Sequence, residues 1–165
     1  MNAQQWIERL GLAQHPEGGY FREIYRSPES VAQSALPERF DGDRCFSTSI
    51  YYLLNRSDVS HFHRIRQDEI WHFYDGAPMM VYTIQTKRCT VFRLGRNPNK
   101  GQLPMLVIPK GTIFAAEVED QRSYSLVGCT VSPGFEFADF ELLDRGMLSQ
   151  TYPEHIELIR KFTKS

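Results

Sequence analysis

Two histidines and a glutamate stand close together in the segment SHFHRIRQDEIWHFYDG, residues 60–76. Side chains two apart on a β-strand point to the same face, so His61 and His63 share a face if the segment is extended. Glu69 follows at the start of the next apolar run. Two imidazoles and a carboxylate can hold Fe, Mn, Ni or Zn, and an imidazole beside a carboxylate also suits proton transfer near neutral pH. The residues therefore predict either a metal site or an acid–base site.

The pairing of the surrounding strands decides whether these side chains meet. If residues 60–65 and 69–75 pair as a hairpin, one face carries both histidines and Glu69 beside Trp71 and Phe73. Such an arrangement is an apolar pocket with a few convergent polar groups, the usual form of a small-molecule site. The alternative is that both histidines lie on the surface of an edge strand.

Short strands separated by turn sequences dominate the chain from residue 46 onward. Turn residues cluster at NRSD, DGAP, GRNPNKG and SPG, and evenly spaced strands of this kind are typical of a sandwich or barrel. We predict a helix over residues 2–10, a loop over residues 27–44 and a helix over residues 151–162, within a single domain of residues 1–165. The predicted strands are 46–54, 60–65, 69–75, 79–85, 90–94, 103–108, 112–118, 123–132 and 135–142.

Two further segments carry aromatic residues at strand spacing. In HPEGGYFREIYRS, Phe21, Glu23 and Tyr25 share one face. A carboxylate between aromatic rings is expected to be buried and to need a partner, so Glu23 is either a ligand-binding group or a structural glutamate paired with an arginine. In GFEFADFEL, residues 134–142, the aromatic parity switches. This switch predicts a β-bulge near Ala138 and a role in the core and a dimer interface.

Composition excludes several classes of protein. The net charge of −1 provides no basic excess for nucleic acid. Three cysteines without a CxxC pair favour a reducing compartment. No apolar run approaches the roughly 18 residues of a membrane span, and the N-terminus lacks the pattern of a signal peptide. We therefore expect a cytoplasmic protein that binds neither nucleic acid nor membrane.

The histidine-containing segment resembles the first cupin motif, G-x5-H-x-H-x3–4-E-x6-G. His61, His63, Glu69 and Gly76 match its H, H, E and G positions, although five residues rather than three or four separate the second histidine from the glutamate. The second cupin motif is matched in part by PKGTIFAAEV, where Phe114 occupies the position of the third histidine ligand. The resemblance implies a metal site that has lost one imidazole. The remaining two histidines and one carboxylate are a set that can still bind Fe(II).

A broader resemblance covers residues 5–162. The blocks HPEGGYFREIYRS, SHFHRIRQDEIWHFYDG, VIPKG, SLVGCTVSPGFEFADFEL and YPEHIELI, in this order, identify the chain as similar to the cupin type 5 domain family of unknown function. That family resembles the sugar epimerases of the dTDP-rhamnose pathway in fold. The resemblance implies an all-β fold, the double-stranded β-helix or cupin jelly-roll barrel, flanked by short N- and C-terminal helices. It also implies a homodimer with a pocket between the sheets.

The segment GGYFRE is similar to the R-G-x-F-x-E segment of those epimerases, with glycine in place of the arginine. The epimerases use no metal; a histidine acts as base and a tyrosine as acid beside a sugar ketone. The resemblance implies that His61 or His63 is the base. Tyr51, Tyr82 and Tyr124 are candidates for the acid.

Three functions follow as hypotheses. The first is a small-molecule-binding cupin acting as an isomerase or epimerase on a sugar or sugar nucleotide, with His61 and His63 as catalytic residues. The second is a metal-dependent enzyme with Fe, Mn, Ni or Zn on His61, His63 and Glu69. The third is a non-catalytic protein that binds a small metabolite. In each case the predicted substrate-binding residues are Phe21, Glu23, Trp71, Phe73 and Phe114.

Overall fold

Two β-sheets packed face to face form the body of the molecule, with three short helices outside them. The computed structural model describes residues 1–56 and 58–164. The helices are α1 (Ala3–Leu10), α2 (Arg145–Thr151) and α3 (Ile156–Lys161). The strands are β1 (Ala13–Gln14), β2 (Tyr20–Arg26), β3 (Ser30–Val31), β4 (Arg44–Cys45), β5 (Thr48–Asn55), β6 (Val59–Ile65), β7 (Asp68–Gly76), β8 (Met79–Gln85), β9 (Arg88–Leu94), β10 (Gln102–Leu103), β11 (Met105–Ile108), β12 (Ile113–Val118), β13 (Tyr124–Ser132) and β14 (Phe140–Leu142).

Each main sheet has six strands. The first has the order β1-β2-β5-β13-β7-β11, and the second has the order β10-β9-β8-β12-β6-β14. Neighbours are antiparallel except β9 and β10. Strands β5 to β8 alternate between the two sheets, as do β11 to β14. This alternation defines a double-stranded β-helix, so the predicted fold class is confirmed.

The predicted hairpin between β6 and β7 is wrong. Strand β6 pairs with β12 and β14 in the second sheet, whereas β7 pairs with β13 and β11 in the first. The two residues between these strands, Arg66 and Gln67, carry the chain from one sheet to the other. His63 and Glu69 consequently approach the interior from opposite sheets and not from adjacent strands.

Apolar side chains fill the space between the sheets because strand periodicity sends alternate residues inward. The largest cluster of buried residues contains Tyr52, Leu54, Trp71, Met79, Val81, Leu94, Leu106, Ile108, Phe114, Ala116, Val118, Val127 and Cys129. This core closes one part of the barrel and leaves a cavity in another.

The C-terminal helices cover the outer face of the second sheet. Phe62 points outward from β6 and packs edge-to-face on Phe162, with ring centroids 5.7 Å apart. The single predicted helix over residues 151–162 is instead two helices, because α2 starts earlier, capped by the Asp144 side chain, and Pro153 begins a separate turn. Strands under this cover are buried on both faces. None of the helices in the described range is long and apolar enough to cross a bilayer.

The segment of residues 27–44, predicted as a loop, is anchored to the barrel. It contains the short β3–β4 pair and the buried side chain of Phe40. Arg44 Nε and Nη2 donate to Asp139 at 2.8 and 2.7 Å, and both side chains are buried. A paired, hydrogen-bonded charge is the form in which ionic groups are tolerated inside proteins.

Candidate functional site

A cavity of about 90 Å³ lies between the two sheets. Five of the predicted site residues line it, namely Phe21, Glu23, His63, Glu69 and Trp71. The remaining lining residues are His15, Glu17, Arg26, Thr48, Ile50, Tyr52, Ile65, Cys129, Val131, Phe135, Glu136, Phe137 and Phe140. Five of the eighteen lining residues were therefore predicted, and the other thirteen are residues that sequence reasoning did not assign to the site.

Glu17 and His63 form the central polar contact of the cavity wall. Glu17 Oε2 lies 3.0 Å from His63 Nε2. His63 Nδ1 lies 2.7 Å from the backbone carbonyl of His61, and because a carbonyl only accepts, Nδ1 carries a proton. Burial lowers the pKa of His63 to about 4, so the ring is neutral near pH 7 and Nε2 is unprotonated. The 3.0 Å contact then requires the proton to come from Glu17.

The surroundings of Glu17 are consistent with a protonated carboxyl group. Burial raises the pKa of Glu17, although the nearby His15 opposes the shift. Ser60 Oγ donates to Glu17 Oε1 at 2.9 Å. His15 Nδ1 accepts the backbone N–H of Glu17 at 3.2 Å and lies 3.5 Å from Oε2. Burial also lowers the pKa of His15. Glu17 and the two histidines thus form a cluster without net charge near pH 7.

His61, a predicted catalytic and metal-binding residue, does not line the cavity. Its Nδ1 donates to the backbone carbonyl of Glu17 at 2.6 Å, and its own backbone N–H donates to the same oxygen at 2.8 Å. The ring is held against the turn that carries Glu17. His61 positions the glutamate, and the strand-face argument that paired it with His63 missed this local hydrogen bond.

The turn before β2 brings Glu17 onto β6. Gly18 and Gly19 both have positive φ, and a Cβ atom on Gly18 would lie 2.1 Å from the carbonyl oxygen of Val59. Glycine is therefore required where this turn crosses β6. Tyr52 Oη donates to the Gly18 carbonyl at 2.8 Å, which fixes the turn from the opposite sheet.

Glu69 faces the cavity from the first sheet. Burial raises its pKa to about 8, while Trp71 and Cys129 donate toward the carboxyl and oppose the shift. Glu69 is therefore mostly protonated near pH 7. The buried indole N–H of Trp71 makes no hydrogen bond of normal geometry to any residue that the structure describes. The cavity thus holds a neutral acid beside a donor that lacks a well-aligned acceptor.

A β-bulge in β2 brings Arg26 to the cavity. Phe21 and Glu23 pair with Tyr52 and Ile50, and the register then shifts so that Arg26 pairs with Thr48. Uninterrupted alternation would have placed Arg26 on the face opposite to Glu23. The bulge therefore explains why both residues line the cavity.

Arg26 makes a polar cluster with two glutamates of the lining. Its guanidinium contacts Glu23 through two hydrogen bonds of 3.0 and 2.9 Å and Glu136 through one of 2.7 Å. All three side chains are more than one-third exposed. The partially exposed cluster marks the side of the cavity that faces solvent. Glu23 is thus paired with an arginine, one of the two alternatives that its sequence context left open, and it also lines the cavity.

The segment predicted as a bulged strand at residues 135–142 forms an aromatic wall. Within this segment, a 3-10 turn over Phe137–Asp139 precedes β14. Phe140 lies 5.4 Å from the His63 ring and 5.8 Å from the His15 ring, measured between centroids. Its rings line the cavity, which the interpretation as core and dimer interface did not include, and the dimer interface stays a prediction.

Two predicted substrate-binding residues lie outside the lining. Phe114 is fully buried behind His63, with ring centroids 4.1 Å apart, and supports the imidazole from the adjacent strand. Phe73 packs against the core farther along β7, with the Arg96 guanidinium 5.5 Å from its ring centroid. Neither side chain is placed to contact a ligand in the cavity.

The predicted metal centre does not form. Within residues 1–56 and 58–164, no group of three or more His, Cys, Asp or Glu side chains is arranged to hold a metal ion. His61 is turned to the Glu17 carbonyl, His63 uses both ring nitrogens in hydrogen bonds, and Phe114 fills the place of a third imidazole. These donors contact one another and not a common centre.

The three candidate tyrosine acids are also elsewhere. Tyr82 Oη donates to Glu117 at 2.8 Å, and Tyr124 Oη donates to Asp75 at 2.6 Å. Tyr51 packs beside Tyr74, with ring centroids 6.0 Å apart. None of the three lines the cavity. The tyrosine that does, Tyr52, is bonded to a backbone carbonyl.

With the fold and the site described, the chain can be compared with known proteins. Residues 4–143 match the family described as Cupin superfamily (DUF985). The chain belongs to this family, as the sequence resemblance implied.

Individual relatives extend over nearly the whole chain. Protein SO0799 from Shewanella oneidensis is 39% identical, with a TM-score of 0.90 over 99% of this chain and 98% of that chain. A hypothetical protein from Leishmania major is 32% identical, with a TM-score of 0.90 over the full length of both. The uncharacterized protein YML079W of Saccharomyces cerevisiae is 30% identical over 85% of this chain and 74% of its own.

More distant neighbours include cupin enzymes. Oxalate decarboxylase from Bacillus subtilis has a TM-score of 0.56 at 14% identity, over 90% of this chain and 36% of that chain. At this identity the likeness concerns the fold alone.

Proposed function

We propose that the protein binds a small polar metabolite in this cavity and transfers protons on it, as an isomerase or epimerase. The observation that carries the proposal is the contact of 3.0 Å between Glu17 and His63, which share a single proton at the cavity wall. The pair takes up a proton as a cation and becomes neutral again when the proton returns.

Glu69 supplies the complementary acid. It faces the cavity from the sheet opposite to His63, and its pKa of about 8 keeps it protonated near pH 7. A substrate with a C–H bond next to a carbonyl would give its carbon proton to the Glu17–His63 pair. Glu69 would give its own proton to the carbonyl oxygen, which produces an enol. Glu69 would take back the oxygen proton as the Glu17–His63 pair returns a proton to the carbon. Epimerisation requires that the enol first turn its other face to the pair.

The size of the cavity restricts what reacts there. Its volume of about 90 Å³ is smaller than the roughly 150 Å³ of an engineered cavity that admits benzene. A whole sugar nucleotide does not fit inside. The reacting part of the substrate must be a fragment of a few heavy atoms, and the rest must extend out of the cavity.

The same hydrogen bonds favour a second candidate function, non-catalytic binding. Both ring nitrogens of His63 are engaged, one by the His61 carbonyl and the other by Glu17. A fully bonded histidine is suited to a rigid binding wall as well as to proton relay. A binding protein would be stabilised thermally by its ligand without turning it over.

Deuterium exchange tests the proposed function. The purified protein is incubated in D₂O with a panel of small carbonyl compounds, keto-sugars and sugar nucleotides, and loss of the proton next to the carbonyl is followed by NMR. We expect enzyme-dependent exchange for at least one compound class. Glu17→Gln, His63→Gln and Glu69→Gln should each slow that exchange about 100-fold or more, as expected for loss of an acid–base group.

Matched controls make the same chemical changes outside the cavity. His155→Gln and Glu157→Gln alter a histidine and a glutamate of the C-terminal turn and α3, neither of which lines the cavity. Both should leave exchange unchanged. The proposal is wrong if no compound exchanges, or if the three cavity variants exchange as fast as the two controls. Ligand-induced thermal stabilisation without exchange would support the binding function instead.

A further inference from the structure

A second concave region adjoins the cavity. It encloses about 500 Å³ and shares Ile65 and Phe140 with the cavity lining. Its cationic side chains are Arg39, Arg64, Arg66 and Lys110, and we call this region the basic groove. Asp139 and Glu141 are the carboxylates in its lining. The groove has no place in the proton-transfer scheme, yet it shares a wall with the site of that scheme.

Hydrogen bonds to backbone carbonyls bring three separate segments together in the groove. Arg39 precedes β4, Arg66 follows β6, and Lys110 precedes β12. The Arg39 side chain donates from Nε to the Arg66 carbonyl at 2.9 Å. The N–H of Gly111 donates to the Ile65 carbonyl at 2.9 Å and holds the Lys110 turn beside β6. The convergence of the cations therefore depends on the fold and not on adjacency in sequence.

The carboxylates of the lining are already neutralised. Asp139 is fully buried and bonded to Arg44, which lies outside the groove lining. Glu141 accepts from Arg64 at 2.6 Å. Asp139 also lies 3.6 Å from Arg66 of the groove, so it is shared between two guanidinium groups.

Cationic charge is thus left over in the groove. Arg66 is 3.2 Å from the exposed Asp41, which is also shared with Arg44. Among the residues that the structure describes, Arg39 and Lys110 have no carboxylate at salt-bridge distance. This local excess of positive charge occurs in a chain whose net charge is −1.

We infer that the basic groove binds a phosphate or pyrophosphate group of the substrate whose reacting fragment enters the cavity. Guanidinium groups present forked donors that match the oxygens of a phosphoryl group, and several cations around one concave region favour a multiply charged anion. The inference rests on the proposed function and narrows its substrate class to phosphorylated metabolites. The small cavity requires the substrate to extend outward, and the shared residues Ile65 and Phe140 place the groove next to it.

Titration with inorganic pyrophosphate tests the groove directly. Calorimetry at low salt should show saturable binding to the wild-type protein, weakened as salt is raised because exposed charges are screened. The double variant Arg39→Gln/Lys110→Gln should bind pyrophosphate more weakly by a factor of about ten or more. A control, Arg9→Gln/Lys100→Gln, removes the same two charge types outside the groove and should bind as the wild type does.

Two results would overturn the inference. One is the absence of saturable pyrophosphate binding by the wild type, and the other is equal weakening in the groove and control variants. Arg39 also stacks on Phe40, with its guanidinium carbon 4.7 Å from the ring centroid. If the double variant does not fold, the single variant Lys110→Gln is compared with the control instead. The Lys110 side chain is exposed, so its replacement should leave the fold intact.

A second arm separates this inference from the proposed function. Deuterium exchange is measured on matched compounds with and without a phosphate group. A preference for the phosphorylated compounds that Arg39→Gln/Lys110→Gln abolishes supports both proposals. Pyrophosphate binding that the groove variant weakens, without exchange of any compound, supports the groove and contradicts the proton transfer. Exchange without preference for phosphate, and without pyrophosphate binding, contradicts the groove alone.

Discussion

Asp139 and Glu17 are two buried carboxyl groups that the fold satisfies in different ways. Asp139 is paired with the fixed positive charge of Arg44 through two hydrogen bonds of 2.8 and 2.7 Å. Glu17 contacts the neutral ring of His63 and the hydroxyl of Ser60, and burial raises its pKa. One carboxyl is kept ionised by a partner that cannot lose its proton, whereas the other keeps a proton that it can exchange.

The difference matches the location of the two groups. The Arg44–Asp139 pair joins β4 to the turn before β14, and it lies outside the cavity lining. The Glu17–His63 pair lines the cavity. A permanent ion pair suits a structural link, since arginine does not deprotonate in proteins. A shared proton suits a site where protons move. Substitutions at the two carboxyl groups and their neighbours test this difference between a structural ion pair and a proton-sharing pair.

The largest effect should follow from breaking the ion pair. Asp139→Asn leaves the buried Arg44 guanidinium with only the exposed Asp41 as a counter-charge, and we expect the free energy of unfolding to fall by about 3–5 kcal/mol. Chemical denaturation measures this change. Glu157→Gln, which removes an exposed carboxylate 3.0 Å from Arg160, should change stability by less than about 1 kcal/mol. Equal effects of the two substitutions would contradict a structural role for the Arg44–Asp139 pair.

The next effect is the pH dependence that Glu69 confers. Its pKa of about 8 in the folded protein lies above the ordinary value of 4.5, so the folded state binds more protons across that range. Stability attributable to Glu69 is fully present below about pH 4.5 and is lost as pH rises through 8. Between pH 6.5 and 8, the loss due to this residue should be about 1.5–2 kcal/mol.

Glu69→Gln should remove that loss. The buried histidines change the stability in the opposite direction, and they do so only at lower pH. The pKa of His63 is about 4 in the folded protein and has its ordinary value of 6.5 in the unfolded chain, so the unfolded chain binds the proton first as the pH falls. Denaturant unfolding of both proteins between about pH 6.5 and 8 isolates the carboxyl contribution. The same slope in both proteins would show that Glu69 is ionised in the folded state.

A smaller effect is expected at His61. His61→Ala removes the ring N–H that donates to the Glu17 carbonyl at 2.6 Å, and we expect a loss of about 1 kcal/mol in the free energy of unfolding. Exchange activity should decline less than in His63→Gln, because His61 acts only by positioning Glu17. The comparison of unfolding and exchange in the two variants tests this. Activity lost to the same extent in both variants would return His61 to a direct catalytic role.

The smallest stability effect belongs to Glu17→Gln. The amide can donate to His63 Nε2 and accept from Ser60, so the hydrogen bonds of a protonated glutamate are preserved. We expect a change in the free energy of unfolding below about 1 kcal/mol, together with loss of proton exchange. A large destabilisation would mean that Glu17 is ionised and forms an ion pair with His63.

The sequence predicts the fold well because the periodicity and the family resemblance agree. The predicted first helix is present, and its N-terminus has a capping box in which the Gln5 N–H donates to the Asn2 side chain at 2.9 Å. The strand bounds from β5 onward agree closely with the prediction, apart from residues 135–142 and the predicted strand 103–108, which is divided between β10 and β11 in different sheets. Face assignment in a strand needs only alternation, and for this reason His63, Glu69 and Trp71 were correctly directed inward.

The rest of the site depends on backbone features that alternation does not contain. Arg26 reaches the cavity through a bulge, Glu17 through a glycine turn packed on another strand, and Phe140 after a 3-10 turn. The paired glycines after Glu17 do indicate a close backbone approach. They do not identify the strand that is approached, so the partnership of Glu17 and His63 could not be derived from sequence. The homodimer, the sugar-like ligand and the cytoplasmic location stay predictions.

The protonation state of His63 tests most directly whether Glu17 and His63 share one proton. Nitrogen-15 NMR of the protein distinguishes a ring with one protonated nitrogen from an imidazolium with two, and the spectrum of His63→Gln identifies the resonances among the five histidines. Because the pKa of His63 is about 4, we expect a neutral ring, protonated at Nδ1 only, from about pH 5 to pH 8. An imidazolium in that range would show that Glu17 has given up its proton, and the proton-sharing pair would be replaced by a buried ion pair.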